Sequence, residues 1–244
     1  MPRVGRVNIG GVAYHVLNRA NARLPLFECR ADYAAFAAVV AEAHERVAMW
    51  TIGYCIMPNH WHMVLWPRKD GDLSEFMRWL TVTHTQRWHA AHGTAGEGHV
   101  YQGRFKSFAI QQTRPSFDQR AKGMLEGGDA ILSVLRYVER NPVRAGLATS
   151  AVLWPWSSAA GRAGKQLADV PIIPLTPPPG GLADDWLDIV NRPQTDAEMA
   201  ALQRCMQRGC PFGREDWVRR MATEWNLTST LKPRGRPINA KKGS

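Results

Sequence analysis

The 244-residue chain has no apolar run near the ~18 residues a membrane span needs, which excludes a membrane-spanning helix. It has only four cysteines, Cys29, Cys55, Cys205 and Cys210, and none stands in a C-x-x-C pair. That excludes a disulfide framework and a cysteine-based zinc site, leaving reduced structural thiols. The opening Met1-Pro-Arg-Val-Gly-Arg6 has neither a continuous apolar core nor a small-residue cleavage site, so the expected location is the cytoplasm. No internal repeat is present. Acidic residues are in deficit, 21 against 31 Lys and Arg, for a net charge of +10.

The excess of positive charge is uneven, and its distribution points to a polyanionic partner. Arg208 to the end holds nine Lys/Arg and three acidic residues, so +6 of the +10 lies there. Residues 166–200 run the other way, with six acidic residues against Arg192 alone and five prolines between Pro171 and Pro179. Such a stretch reads as a linker. With 45% hydrophobic residues, the length suits one main domain with an appendage. The expected division is 1–163 as the main domain, 164–198 as a Pro-rich acidic linker, and 199–244 as a helical, polyanion-binding extension with a basic tail.

Periodicity gives the order of elements. Gly11–Leu17 reads as a strand, and Phe36, Val39, Val40, Ala43 and Val47 form one side of a helix. Trp50–Met57 and His60–Trp66 read as a hairpin around Pro58-Asn59. Leu73 to His92 recurs at helical spacing, and Arg104–Ile110 is a further strand. The order β-α-β-β-α-β predicts an α+β, ferredoxin-like antiparallel sheet with helices packed on one face. A third helix over Asp129–Asn141 should be ended or kinked by Pro142, and two amphipathic helices are expected over 195–208 and 214–225.

His60 and His62 project from the same face of their strand, so they can share one Mg²⁺, Mn²⁺ or Zn²⁺ ion. Two histidines that only pack a hairpin are the bland alternative. On the third helix Tyr137 and Asn141 are one turn apart, so a hydroxyl and an amide point together. If that face lies against the two histidines, Asn141 would complete a metal site and Tyr137 would aim at a phosphate. A half-buried helix tyrosine is the competing reading. Arg136, Arg140 and Arg144 on this helix, Gln102, Arg104 and Lys106 around the last strand, and Asn18 and Arg19 after the first, suit phosphate contacts or a solvated face. The tail residues Lys232, Arg234 and Arg236, in Lys-Pro-Arg-Gly-Arg-Pro, have the thin cationic shape that fits a narrow minor groove.

With Met57-Pro-Asn-His-Trp-His62, Tyr101-Gln-Gly-Arg-Phe-Lys-Ser107 and Arg136-Tyr-Val-Glu-Arg-Asn-Pro-Val-Arg-Ala-Gly146 in order, the chain resembles the REP-associated tyrosine transposases. These are an IS200-like branch of the HUH single-strand transposases, and the resemblance covers about residues 10–160. It implies an HUH fold in which His60, His62 and Asn141 bind Mg²⁺ or Mn²⁺. It also implies that Tyr137 attacks a DNA phosphate, giving a 5′-phosphotyrosine and a free 3′-OH. The implied substrate is single-stranded DNA carrying a palindromic hairpin, processed in the bacterial cytoplasm at the nucleoid by a monomer or homodimer. One departure is the long connection between Ile110 and Asp129. Rival expectations are a catalytically silent hairpin-binding or regulatory protein, and a small-molecule metal hydrolase. The second would need further ligands and leaves the basic tail unused.

Overall fold

Strand β3 (His60–Pro67) carries the alternation that organises the protein. Trp61, Met63 and Leu65 are fully buried in one core, and Val64 in another on the opposite face of the sheet, the face that also holds His62. The computed structural model describes residues 7–112 and 129–232. In it, β3 lies between β2 (Met49–Met57) and β1 (Ala13–Arg19), with β4 (Lys106–Ile110) beyond β1. All three pairings are antiparallel, and the order β2-β3-β1-β4 is that of a ferredoxin-like sheet. The registers set Leu17 and Cys55 on either side of His62, and Arg19 and Met57 on either side of His60.

Two helices, α1 (Arg30–Arg46) and α2 (Asp72–His92), cover one face of the sheet, as the sequence pattern requires. Phe36, Phe76 and Leu80 meet Trp61, Met63 and Leu65 in this first core. The opposite face is covered by α3 (Ala130–Arg144), whose Val134, Leu135 and Val138 pack on Ile52, Cys55 and Val64. The helices approach the sheet closely at Gly53, where β2 shifts register. A Cβ there would stand 2.2 Å from Leu135 Cδ1 and 3.0 Å from Ser158 Oγ.

Helix α3 starts where Asp129 accepts from the Ile131 and Leu132 amides, an N-cap. Of the two effects expected of Pro142, an end or a kink, the end does not occur, and the helix continues to Arg144. Proline cannot donate to the carbonyl four residues back. Asn141 supplies the missing donor instead, its Nδ2 lying 3.3 Å from Val138 O and 3.1 Å from Tyr137 O.

The expected linker is corrected. Beyond α4 (Ser158–Arg162), residues within 164–198 form α5 (Trp186–Asn191) and begin α6 (Asp196–Arg208). Trp186, Ile189 and Val190 are buried in the second core beside Leu135 and Leu202, so the segment is part of the packed body. Its prolines and acidic residues hid this apolar content. At the centre lies Glu139, fully buried, accepting from Ser158 Oγ, Arg162 Nε at 2.9 Å and Trp186 Nε1 at 2.8 Å.

After α6 the chain turns at Gly209, in the left-handed region that glycine favours, and Phe212 forms a parallel bridge with Ile110 at the open edge of the sheet. Helices α7 (Glu215–Glu224) and α8 (Thr228–Leu231) follow. All four cysteines are free, and Cys205 Sγ lies 3.1 Å from Cys210 Sγ. The long connection singled out in the sequence lies, from 113 to 128, outside the described residues, as do Arg234 and Arg236.

Candidate active site

The two strand histidines are held by their Nδ1 atoms. His60 Nδ1 is 2.7 Å from Asn59 Oδ1, and His62 Nδ1 is 2.9 Å from Nε2 of His15, a buried residue of β1. This leaves the Nε2 atom of each ring free to coordinate a cation, the arrangement that second-shell partners impose on metal-binding imidazoles. Burial lowers all three histidines, His60 to about 4, His15 to about 3, and His62 well below its ordinary value. Uncharged rings are what a cation requires.

Tyr137 faces this pair from α3. Its ring centroid is 5.7 Å from that of His62, edge to face. Arg144, two turns further on, donates from Nη2 to Tyr137 Oη at 3.1 Å and lies over the ring, 4.8 Å from its centroid. The same Nη2 donates to Asn141 Oδ1. Burial raises the Tyr137 phenol above its ordinary value, and the Arg144 guanidinium pulls it the other way.

These groups open into one cleft of about 770 Å³. Its walls include Asn18 and Arg19 at the end of β1, Gln102, Arg104 and Lys106 before and within β4, and Gln203, Met206 and Gln207 of α6. The structure thus gathers His60, His62, Tyr137, Arg144, Asn18, Arg19, Gln102, Arg104 and Lys106 around one space. Tyr137 is the only tyrosine there; Tyr14, Tyr33, Tyr54 and Tyr101 all belong to the α1/α2 core on the far face of the sheet.

Other expected residues fall elsewhere. Arg136 is buried and donates to Arg192 O at 3.0 Å and Pro193 O at 2.7 Å, so the expected phosphate contact is corrected to an internal clamp. Arg140 likewise reaches Asn191 O rather than the cleft. Both are used to fasten the chain around α5. Asn141 is buried beside Tyr137 and its amide oxygen is taken by Arg144. Lys232 is exposed at the end of the described chain. Among the described residues no cluster of three or more His, Cys, Asp or Glu offers a metal site by itself.

Residues 8–118 match the family described as Transposase IS200 like. That span is similar to an IS200-like transposase domain. Its match spans His60 and His62 and ends before Tyr137. The chain is also similar in fold to a solved structure of a REP-associated tyrosine transposase bound to a REP hairpin, with 20% identity and a TM-score of 0.50 over 74% of this chain and 97% of that one. A candidate transposase from Deinococcus radiodurans is similar over 50% of this chain and 92% of that one, with 14% identity and a TM-score of 0.35. No curated protein gives a significant match. No helix among the described residues is long and apolar enough to cross a membrane.

Sequence reasoning missed His15 and the α6 wall. A histidine inside a strand carries no signal of its own, and its pairing with His62 follows only from the register of β1 on β3. The α6 residues lie well past the matched region and face the cleft only because α5 and α6 are packed against α3.

Proposed function

We propose that the protein is a divalent-metal-dependent transposase that nicks and rejoins hairpin-bearing single-stranded DNA through a covalent bond to Tyr137. The observation that carries this reading is that one tyrosine out of five enters the cleft of the paired histidines, and that its hydroxyl is held by an arginine.

Tyr137 Oη would attack the scissile phosphorus, forming a 5′-phosphotyrosine as the bond to the 3′ oxygen breaks. In net balance the phenol loses the proton that the leaving 3′ oxygen gains. Because the ester to tyrosine retains the phosphoryl bond, attack by a 3′-OH reverses the step and rejoins DNA without a nucleotide cofactor. Arg144 stabilises charge on the phenol oxygen and, turned outward, faces the phosphate. Arg19, Arg104 and Lys106 neutralise flanking phosphates, with Asn18 and Gln102 as neutral donors beside them.

His60 and His62 fit a Mg²⁺ or Mn²⁺ ion: both rings are neutral, oriented from behind, and free at Nε2. Asn141 would join them in holding the ion if its amide oxygen were released by Arg144. The ion supplies positive charge to the phosphate and to the leaving oxygen. Such an enzyme works in the cytoplasm, on the DNA of the bacterial nucleoid.

The test is a denaturing gel of end-labelled hairpin DNA incubated with the protein and Mg²⁺ or Mn²⁺. The expected result is a protein–DNA adduct mapping to Tyr137 and absent from Tyr137→Phe. Persistent cleavage by Tyr137→Phe would indicate a water nucleophile and overturn the reading; DNA binding without cleavage by the unaltered protein would leave a silent hairpin-binding protein.

A further inference from the structure

The walls of the cleft differ in chemistry. Tyr137, Arg19, Arg104, Lys106 and Arg144 suit phosphate, and phosphate contacts carry no sequence information. The wall contributed by α6 is uncharged: Gln203, Met206 and Gln207 stand at i, i+3 and i+4, on one side of the helix. Neither glutamine side chain makes a hydrogen bond to another described residue, and both are exposed. Their donors and acceptors are therefore open to whatever enters the cleft.

The helix that presents them is fixed at both ends. Thr195 and Glu198 form a capping box at its start, where Glu198 also pairs with Arg136. At its end Arg208 donates to Thr230 O at 2.6 Å and Ser229 O at 2.8 Å. Leu202 and Cys205 on the reverse side are buried in the second core. A rigid helix offering two free carboxamides with a polarizable thioether between them suits nucleobases. A carboxamide matches the paired donor and acceptor of an adenine edge, and a thioether packs against aromatic rings.

We infer that Gln203 and Gln207, with Met206 between them, read the bases next to the scissile phosphate and so set where the transposase cuts. This rests on the proposed strand-transfer reaction at Tyr137. It assigns cleavage-site choice to a helix outside residues 8–118, the span that matches the transposase family.

The experiment uses the full chain and hairpin DNA whose bases on both sides of the cleavage position are randomised, with Mg²⁺, and sequences the tyrosine-linked products. The unaltered protein should favour particular bases, adenine foremost, at one or two positions. In Gln203→Ala/Gln207→Ala that preference should fall about tenfold, the scale of one lost bidentate base contact. In Gln203→Glu/Gln207→Glu it should turn toward cytosine, whose N4 amine donates to a carboxylate. The readout is a ratio among products, so a general loss of activity does not imitate it. An adduct forming with unchanged base preference in both double variants overturns this inference alone. No adduct from the unaltered protein on any sequence overturns the strand-transfer reading, and this inference with it.

Discussion

His15 Nε2 stands 2.9 Å from His62 Nδ1, in the buried space between β1 and β3. When His62 offers the lone pair of Nε2 to a cation, its Nδ1 carries the proton and His15 accepts it. His15→Phe keeps the stacking on Phe108, whose ring lies 4.8 Å away, and removes only the acceptor. The expected outcome is a loss of about 10- to 100-fold in Mn²⁺ affinity, read by calorimetric titration of the DNA-free protein. His15→Gln, which can offer an amide oxygen, should recover part of it. Equal affinity in all three proteins would show that His15 only fills space.

Arg144 touches Tyr137 Oη and Asn141 Oδ1 from one guanidinium and covers the tyrosine ring. Arg144→Ala should lower the single-turnover rate of adduct formation by about 10²- to 10³-fold, the scale of removing one fixed donor from a charge-developing site. Arg144→Lys should not restore it, because a compact ammonium lacks the planar guanidinium that lies over the tyrosine ring while it donates to Oη. A lysine variant at full rate would reduce the role of Arg144 to a single positive charge.

Glu139 is fully buried and takes three donors, Ser158 and Arg162 of α4 and Trp186 of α5. Glu139→Ala should cost about 3–5 kcal/mol, because the partly buried Arg162 loses its ion-pair partner and the Ser158 and Trp186 donors lose their acceptor. Urea unfolding followed by tryptophan fluorescence measures this, and a change below 1 kcal/mol, on the order of an exposed pair, would contradict it.

Ending the chain after Leu231 removes five Lys and Arg: 232, 234, 236, 241 and 242. The slope of log K against log salt for hairpin DNA should fall in magnitude by up to about 4, as released counterions scale with neutralised phosphates. Titrations between low and moderate salt read the slope directly; equal slopes would make the tail a bystander.

Much of the fold was legible because local rules decided it. The alternation Trp61, Met63, Leu65 against His62 and Val64 fixed which face of β3 met the first core. Thr195 and Asp129 marked helix starts through their side-chain oxygens. The tyrosine, the histidine pair and the cationic strand were readable as residues and motifs. Their convergence depended on α3 covering the sheet face opposite α1 and α2. What stayed hidden was long-range. Arg136 and Arg140 look like the same cationic stripe as Arg144, yet chain arriving some 50 residues later covers them and leaves Arg144 open. Pro142 looked like a helix end, and only the turned-back amide of Asn141 removes the cost of its missing donor. Gly53 lies unremarked inside the expected strand Trp50–Met57, and only the approach of Leu135 shows why no side chain fits there.

The bridge at Phe212 has a bearing on how the protein can be divided. Phe212 N donates to Ala109 O at 2.8 Å, and Gln111 N donates to Phe212 O at 2.9 Å, so chain from beyond α6 occupies part of the outermost strand. A sheet border left open offers unpaired amides to any neighbouring copy and invites self-association. Trimming the chain near 163 would therefore uncover an adhesive border as well as the hydrophobic surface under α5 and α6. The histidine-and-tyrosine half should not behave as a detachable module, and shortened forms should fail by clumping before they fail in chemistry.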